Sequence, residues 1–169
     1  MEAVNVHLSL GSNLGDRESN LAQATMALSI NLDISDIVSS SYYESEPLYN
    51  SDQPDFLNSV VKCTTTLKPF DFLDVARRIE RMLGRTANSE KDHPRIIDID
   101  ILFHGDAVLD TDELTIPHPM LGQRKFVLLP FSEIDPNFKI PHSNLTILDL
   151  LDRCNDQFRV VRHQMEKEA

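Results

Sequence analysis

An α+β domain with a largely antiparallel sheet is the architecture this sequence predicts, and three observations carry it. Apolar residues alternate at period two in four separate stretches, two stretches between them carry helical spacing, and hairpin signals are interleaved with both. With 169 residues, 41% of them hydrophobic, the chain can bury one substantial core but not two ordinary ones, so residues 1–169 are expected to form a single domain.

The elements follow in order. Val4, Val6, Leu8 and Leu10 alternate with Asn5, His7 and Ser9, giving a first strand with one buried face and His7 on the other. The turn Gly11–Asp16 comes next, and Leu21, Ala24, Thr25 and Leu28 then recur at helical spacing. That turn matches neither the dinucleotide fingerprint nor the G-x-x-x-x-G-K-[ST] loop, so a tight connection is its expected role. Ile34 to Tyr43 reads as a second strand, and Glu44 to Pro54, with Pro47, Asn50, Ser51 and Pro54, as a long loop. In the third strand, Phe56 to Leu67, Leu57, Val61, Cys63 and Leu67 face one way and Phe56, Asn58 and Val60 the other. An aromatic ring beside a carboxamide is either ordinary packing with a satisfied polar group or one wall of a site for a flat heterocycle. Pro69 suits a helix start, Phe72, Ala76, Ile79 and Leu83 trace its buried stripe, and Gly84 ends it. Thr86 to His93 is polar and aperiodic, the pattern of a lid loop. His104-Gly105-Asp106 signals a hairpin turn, His118 stands between Pro117 and Pro119, and Gln123–Phe131 and Thr146–Leu151 read as short helices.

The segment Pro94–Phe103, P-R-I-I-D-I-D-I-L-F, is the one most charged with chemistry. As a strand it places Ile97, Ile99, Ile101 and Phe103 on one face and Ile96, Asp98, Asp100 and Leu102 on the other. Two strand rises, about 6.5 Å, separate Asp98 from Asp100, close enough for both carboxylates to converge on one divalent cation or bridge two. Arg95 stands at the strand entrance after Pro94, where twist and the proline restriction can turn it toward the acids. An arginine beside such a pair points to a phosphate-bearing ligand. A strand with a solvated polar face explains the same alternation, and the motif alone leaves both readings open.

The formal net charge of −11 argues against general affinity for nucleic acid or anionic membrane. Arg17 is the only cation before Lys62, whereas Arg77, Arg78, Arg81, Arg85, Lys91 and Arg95 fall in one short span. A solvated helix face accounts for Arg77, Arg78 and Arg81; Arg85 and Arg95 flank a polar loop and are candidates for contacting an anion. No apolar run approaches membrane-spanning length and no basic, then apolar, leader opens the chain, so a cytoplasmic location is expected. Cys63 and Cys154 lack metal-like spacing and are expected to be reduced.

Taken together, L-S-L-G-S-N-L-G-D, D-Q-P-D-F-L-N-S-V, R-I-E-R-M-L-G-R, P-R-I-I-D-I-D-I-L-F, L-T-I-P-H-P and R-K-F-V-L-L-P resemble the 6-hydroxymethyl-7,8-dihydropterin pyrophosphokinases of folate biosynthesis, block by block and in order from Leu8 to Pro136. The resemblance implies a ferredoxin-like sandwich, ATP as donor, two Mg²⁺ ions, and transfer of the β,γ-diphosphate to the pterin hydroxymethyl group with release of AMP. By motif position, Asp98 and Asp100 hold the metals and Arg85 and Arg95 contact the phosphates, these four being the catalytic set, in which Asp100 can also assist as a base. Glu80, Ile101 (through its backbone), Thr115, His118 and Arg124 match the ATP site. Ser45, Leu48, Phe56, Asn58 and Phe126 match the pterin pocket, with the two rings sandwiching the substrate. The chain departs from the family pattern at Glu46, where proline is common, and at Ala87, Asn88 and Asp92, where relatives carry basic and aromatic residues; Lys91 is the cation left there, and the chain has no Trp. Two other functions fit parts of the pattern: a D-x-D nucleotidyl or glycosyl transferase, and a catalytically inactive pterin-binding module. The expected partners are the two small substrates, with no nucleic acid or membrane, in a monomer or weak homodimer.

Overall fold

The strict alternation of the first strand places Val6, Leu8 and Leu10 on one face with no exposed surface at all. In the computed structural model, which describes residues 2–48, 51–86 and 93–165, that strand, β1 (Val4–Ser12), lies between two antiparallel neighbours. These are β4 (Phe56–Thr65) and β5 (Asp98–His104). β2 (Ile34–Ser39) and β3 (Tyr43–Ser45) both pair with the far edge of β4, and β8 (Val160–Arg162) adds to β3. The order β5-β1-β4-β3-β8, with β2 beside β4, is a ferredoxin-like antiparallel sheet. A separate hairpin pairs β6 (Leu109–Asp110) with β7 (Thr115–Ile116).

Helices cover both faces. α1 (Arg17–Ser29) is capped where Asp16 accepts from the Ser19 amide (3.0 Å), and α2 (Pro69–Met82) begins on Pro69, whose missing N–H costs nothing in a first turn. Leu21, Ala24 and Leu28 of α1 and Phe72, Ala76 and Ile79 of α2 pack on Leu8, Leu57, Val61, Ile97, Ile99 and Ile101. On the other face α3 (Lys125–Ile134) and α4 (Ile147–Arg153) bring Val127, Leu128, Phe131 and Ile147 against Val60, Leu102 and Phe103. That second layer stops short of the Asp98 end of the sheet, and the site lies in the gap.

Three expectations are corrected. Phe103 does not share a face with Ile97, Ile99 and Ile101. The β1–β5 register shifts between His7 and Leu8, so Ile101 opposes Leu8 while Phe103 opposes His7, and the extra residue turns Phe103 to the α3 side. The stretch 34–43 is two strands rather than one, with a further register shift between Ser35 and Val38 and Asp36 at φ +52°. His7 is on the predicted face but wholly buried, stacked on Phe131 and against a tilted Phe138 ring, with Nε2 2.8 Å from an Asp135 carboxylate that also takes Lys62 at 3.0 Å. Burial drives the His7 pKa down, against the pull of Asp135.

Leu8 has no exposed surface in the central strand, so Leu8→Ala should cost about 2–5 kcal/mol of stability, read as a lower denaturant midpoint with an unchanged slope.

Candidate active site

A cavity of about 570 Å³ opens where α3 and α4 leave the sheet uncovered. Its floor is the same-face ladder of three strands. Across β1, Ser9 opposes Asp100 and Gly11 opposes Asp98; across β4, Gly11 opposes Asn58. Gly11 sits between the carboxylate and the carboxamide. A β-carbon there would lie 3.4 Å from Asn58 Oδ1 and 3.7 Å from the Phe56 ring, narrowing the floor between them.

One end of the cavity is built for charge. Asp98 accepts from Arg85 Nη1 at Oδ1 (2.6 Å) and from Arg95 Nη1 at Oδ2 (2.9 Å). Local backbone physics delivers both arginines. Gly84 adopts φ +107° past the end of α2, the Arg85 amide bonds back to the Glu80 carbonyl (3.0 Å), and the side chain folds over the sheet. Arg95 precedes β5, and its backbone is fixed by Asn13: Oδ1 accepts from the Arg95 amide (2.8 Å), while the Asn13 amide donates to the Arg95 carbonyl (3.1 Å). The redirection of Arg95 onto the acidic face is thus realised. Buried Glu80 stands behind, accepting from Arg85 Nη1 and from the Ile99 amide (3.1 Å). Burial raises the Glu80 pKa against the attraction of Arg85. Burial opposes charge on Arg85 too, but Asp98 and Glu80 outweigh it and its pKa is raised.

Asp100 is the strained acid. Enclosure by protein, reinforced by repulsion from Asp98 and opposed by Arg124, pushes its pKa up to about 7. His118 goes the other way: burial and the Arg124 charge lower it to about 4, so the ring is neutral at physiological pH. The Met120 amide donates to His118 Nδ1 (3.2 Å), which puts the ring proton on Nε2 and makes that nitrogen a donor.

The other end is built for a flat ring. Asn58 Nδ2 donates to the Tyr43 carbonyl (3.1 Å) and to Ser45 Oγ (2.8 Å), so its Oδ1 is the atom turned toward the cavity. Phe56, Leu48, Met120 and Phe126 supply apolar walls, and the Arg124 guanidinium lies 5.8 Å from the Phe126 ring centre.

Of the residues singled out from sequence, Ser45, Leu48, Phe56, Asn58, Arg85, Arg95, Asp98, Asp100, His118, Arg124 and Phe126 line this one cavity. Glu80 acts from behind Arg85, Ile101 points its side chain into the α1–α2 core, and Thr115 stands on β7, off the cavity wall. Ala87, Asn88, Lys91 and Asp92, in the loop expected to be a lid, lie outside the described residues. Sequence reasoning missed Ser9 and Gly11 of the floor, Glu46 and Met120 of the walls, and Asn13, whose signal was the Gly11–Asp16 turn. Asn13 also donates to Gln53 Oε1 (3.1 Å) and to the Pro54 carbonyl (3.2 Å), joining the Arg95 segment to the strand that bears Phe56.

Residues 7–136 match the sequence profile of the 7,8-dihydro-6-hydroxymethylpterin-pyrophosphokinases. The chain belongs to that family. Its relatives among the pyrophosphokinases include the 2-amino-4-hydroxy-6-hydroxymethyldihydropteridine pyrophosphokinase of Bacillus subtilis, 41% identical over 76% of this chain and 76% of that one. The Haemophilus influenzae enzyme of the same name is 36% identical over 90% of this chain and 94% of that one. The folic acid synthesis protein FOL1 of Dictyostelium discoideum is 41% identical over 83% of this chain, which spans only 21% of that protein's length. The chain spans about a fifth to a quarter of the length of this and three other folate-synthesis proteins it matches. The fold is also that of the Plasmodium falciparum HPPK-DHPS crystal structure with pteroate, at TM-score 0.69 and 16% identity over 90% of this chain and 44% of that one. Among the described residues no helix is long and apolar enough to cross a membrane, and both cysteines are free.

Because Asp100 ionises near neutrality in the fold but near 4 in an unfolded chain, the folded state holds the extra proton between those values and loses stability as pH rises through them. Asp100→Asn has no such proton to lose. In EDTA its melting temperature should exceed that of the unmodified protein by about 10 °C at pH 8, with the gap closing only as the pH falls to about 4.

Proposed function

We propose that this chain transfers the β,γ-diphosphate of ATP to the hydroxymethyl group of 6-hydroxymethyl-7,8-dihydropterin, releasing AMP, as the folate-pathway step its family name describes. The observation that carries the reading is the union, in one cavity, of an apolar slot with an outward-facing carboxamide oxygen and a cluster of arginines and aspartates. The pterin ring lies between Phe56 and Phe126, and Asn58 Oδ1 accepts from a ring-edge N–H. Ser45, held by Asn58 Nδ2, has its hydroxyl proton to donate to the same edge. The triphosphate lies over Asp98 and Asp100, with the nucleoside extending past Arg124 and His118 toward Thr115 and the backbone of Ile101.

The donor set fits magnesium. Among the described residues no cluster of three or more His, Cys, Asp or Glu side chains could hold a metal ion. The protein thus contributes two carboxylates, and Mg²⁺ characteristically takes one or two of these plus phosphate oxygens and water. Asp98 and Asp100 would hold two such ions, which would offset the phosphate charge. Arg85 and Arg95, which share Asp98 in the substrate-free site, contact phosphate oxygens and neutralise charge as the hydroxymethyl oxygen attacks the β-phosphorus and the bond to AMP breaks. Neutral His118, donating from Nε2, adds a hydrogen bond without adding charge. The same reading treats residues 1–169 as one pyrophosphokinase domain, a monomer or weak homodimer working in the cytoplasm.

Incubation with ATP, Mg²⁺ and the pterin, followed by chromatography, should give equimolar AMP and pterin diphosphate, and EDTA should abolish both. ADP would move the attack to the γ-phosphate and refute the mechanism; pterin binding without turnover would favour a binding module. In the same assay Asn58→Ala should raise KM for the pterin by about tenfold or more and leave KM for ATP within twofold.

A further inference from the structure

Beyond residue 136, where the family match ends, the segment Asp156–His163 runs back to the cavity and grips its walls at three places. The first is the strand bearing Ser45. β8 pairs with β3, setting Val160 opposite Ser45 and Arg162 opposite Tyr43, and the Arg159 amide donates to Glu46 Oε1 (2.8 Å) while the Glu46 amide donates to the Arg159 carbonyl (3.4 Å). Proline at position 46 would have neither group, so the departure from the family pattern is matched by Arg159. The second grip is Arg159 Nη2 on Asp55 Oδ2 (3.2 Å), one residue before Phe56. The third is Asp156, whose Oδ2 accepts from the Lys125 amide (3.0 Å), one residue before Phe126, while its Oδ1 accepts from the Phe158 amide (2.9 Å).

We propose that Asp156 and Arg159 are positioning residues for the heterocycle slot: through Lys125, Asp55 and Glu46 they fix the separation of Phe56 and Phe126 and the placement of Ser45. Neither residue lines the cavity itself. An aromatic sandwich rewards a fixed ring separation, because a preorganised slot spends none of its binding free energy on ordering its walls. The grips fall on the slot and not on the arginine–aspartate end, so their loss is selective. The proposal rests on the pterin reading of the slot.

The test measures pterin binding by its own fluorescence, with a non-hydrolysable ATP analogue present, in Asp156→Ala, Arg159→Ala and the double variant. Each single change should weaken pterin binding about fivefold and the double more, with KM for ATP within about twofold. Asp156→Asn, which keeps an acceptor for Lys125, should restore most of the loss. Hydrogen exchange at residues 43–47 and 125–127 should quicken in the double variant. Pterin affinity unchanged in the double variant, or ATP and pterin affinity falling in parallel, overturns the proposal. A wild-type protein that does not bind the pterin refutes the reading and the proposal together; one that binds it equally with or without Asp156 and Arg159 refutes the proposal alone.

Discussion

The site depends on the sharing of one carboxylate by two arginines. Asp98 cannot sit half-buried two residues from Asp100 without opposing charge, and Arg85 and Arg95 supply it from opposite sides, one oxygen each. Much of the surrounding structure serves that arrangement. Gly84 turns Arg85 back from the end of α2, Glu80 accepts from the same Nη1 of its guanidinium, and Asn13 fixes the backbone that presents Arg95. The same arrangement leaves Asp100 without an arginine of its own at hydrogen-bonding distance among the described residues, and its pKa rises accordingly. The site is therefore least comfortable where a cation would help most.

The division of labour along the cavity follows from sheet order. β1 lies between the strand of acids and the strand of Phe56 and Asn58, and it offers Gly11 and Ser9 to the floor, small residues over which a substrate can reach from one end to the other. Because β5, β1 and β4 are antiparallel neighbours with a continuous register near the site, the distance between the charged end and the aromatic end is set by backbone hydrogen bonds. Phe126, in the first turn of α3, and Leu48, beyond β3, then close the slot against Phe56 on β4.

Much of this was legible in the chain, for physical reasons. Period-two alternation put Asp98 with Asp100 and Phe56 with Asn58 on shared faces, and a glycine after a helical stripe marked the turn that brings Arg85 in. What escaped depended on contacts remote in sequence. The bulge opposite His7 that turns Phe103 leaves no local trace, since Ile101, Leu102 and Phe103 are all apolar. Asn13 is a turn residue by local chemistry and a tether only because Arg95 and Gln53 arrive from elsewhere. β8 is three residues long and forms because β3 offers a free edge. Motif position assigned Glu80 to ATP, whereas its burial and its two donors place it behind Arg85.

If Asp98 is the carboxylate that would take a cation, Arg85 and Arg95 compete with that cation for it. Titration of the nucleotide-free protein with Mn²⁺, followed by electron paramagnetic resonance, tests it in Arg95→Gln against the unmodified chain. Removing one positive charge from Asp98 should tighten Mn²⁺ binding by about tenfold. Binding that is unchanged or weaker in Arg95→Gln would mean that Asp98 is not a carboxylate for which arginine and cation compete, and the account of the site would fail.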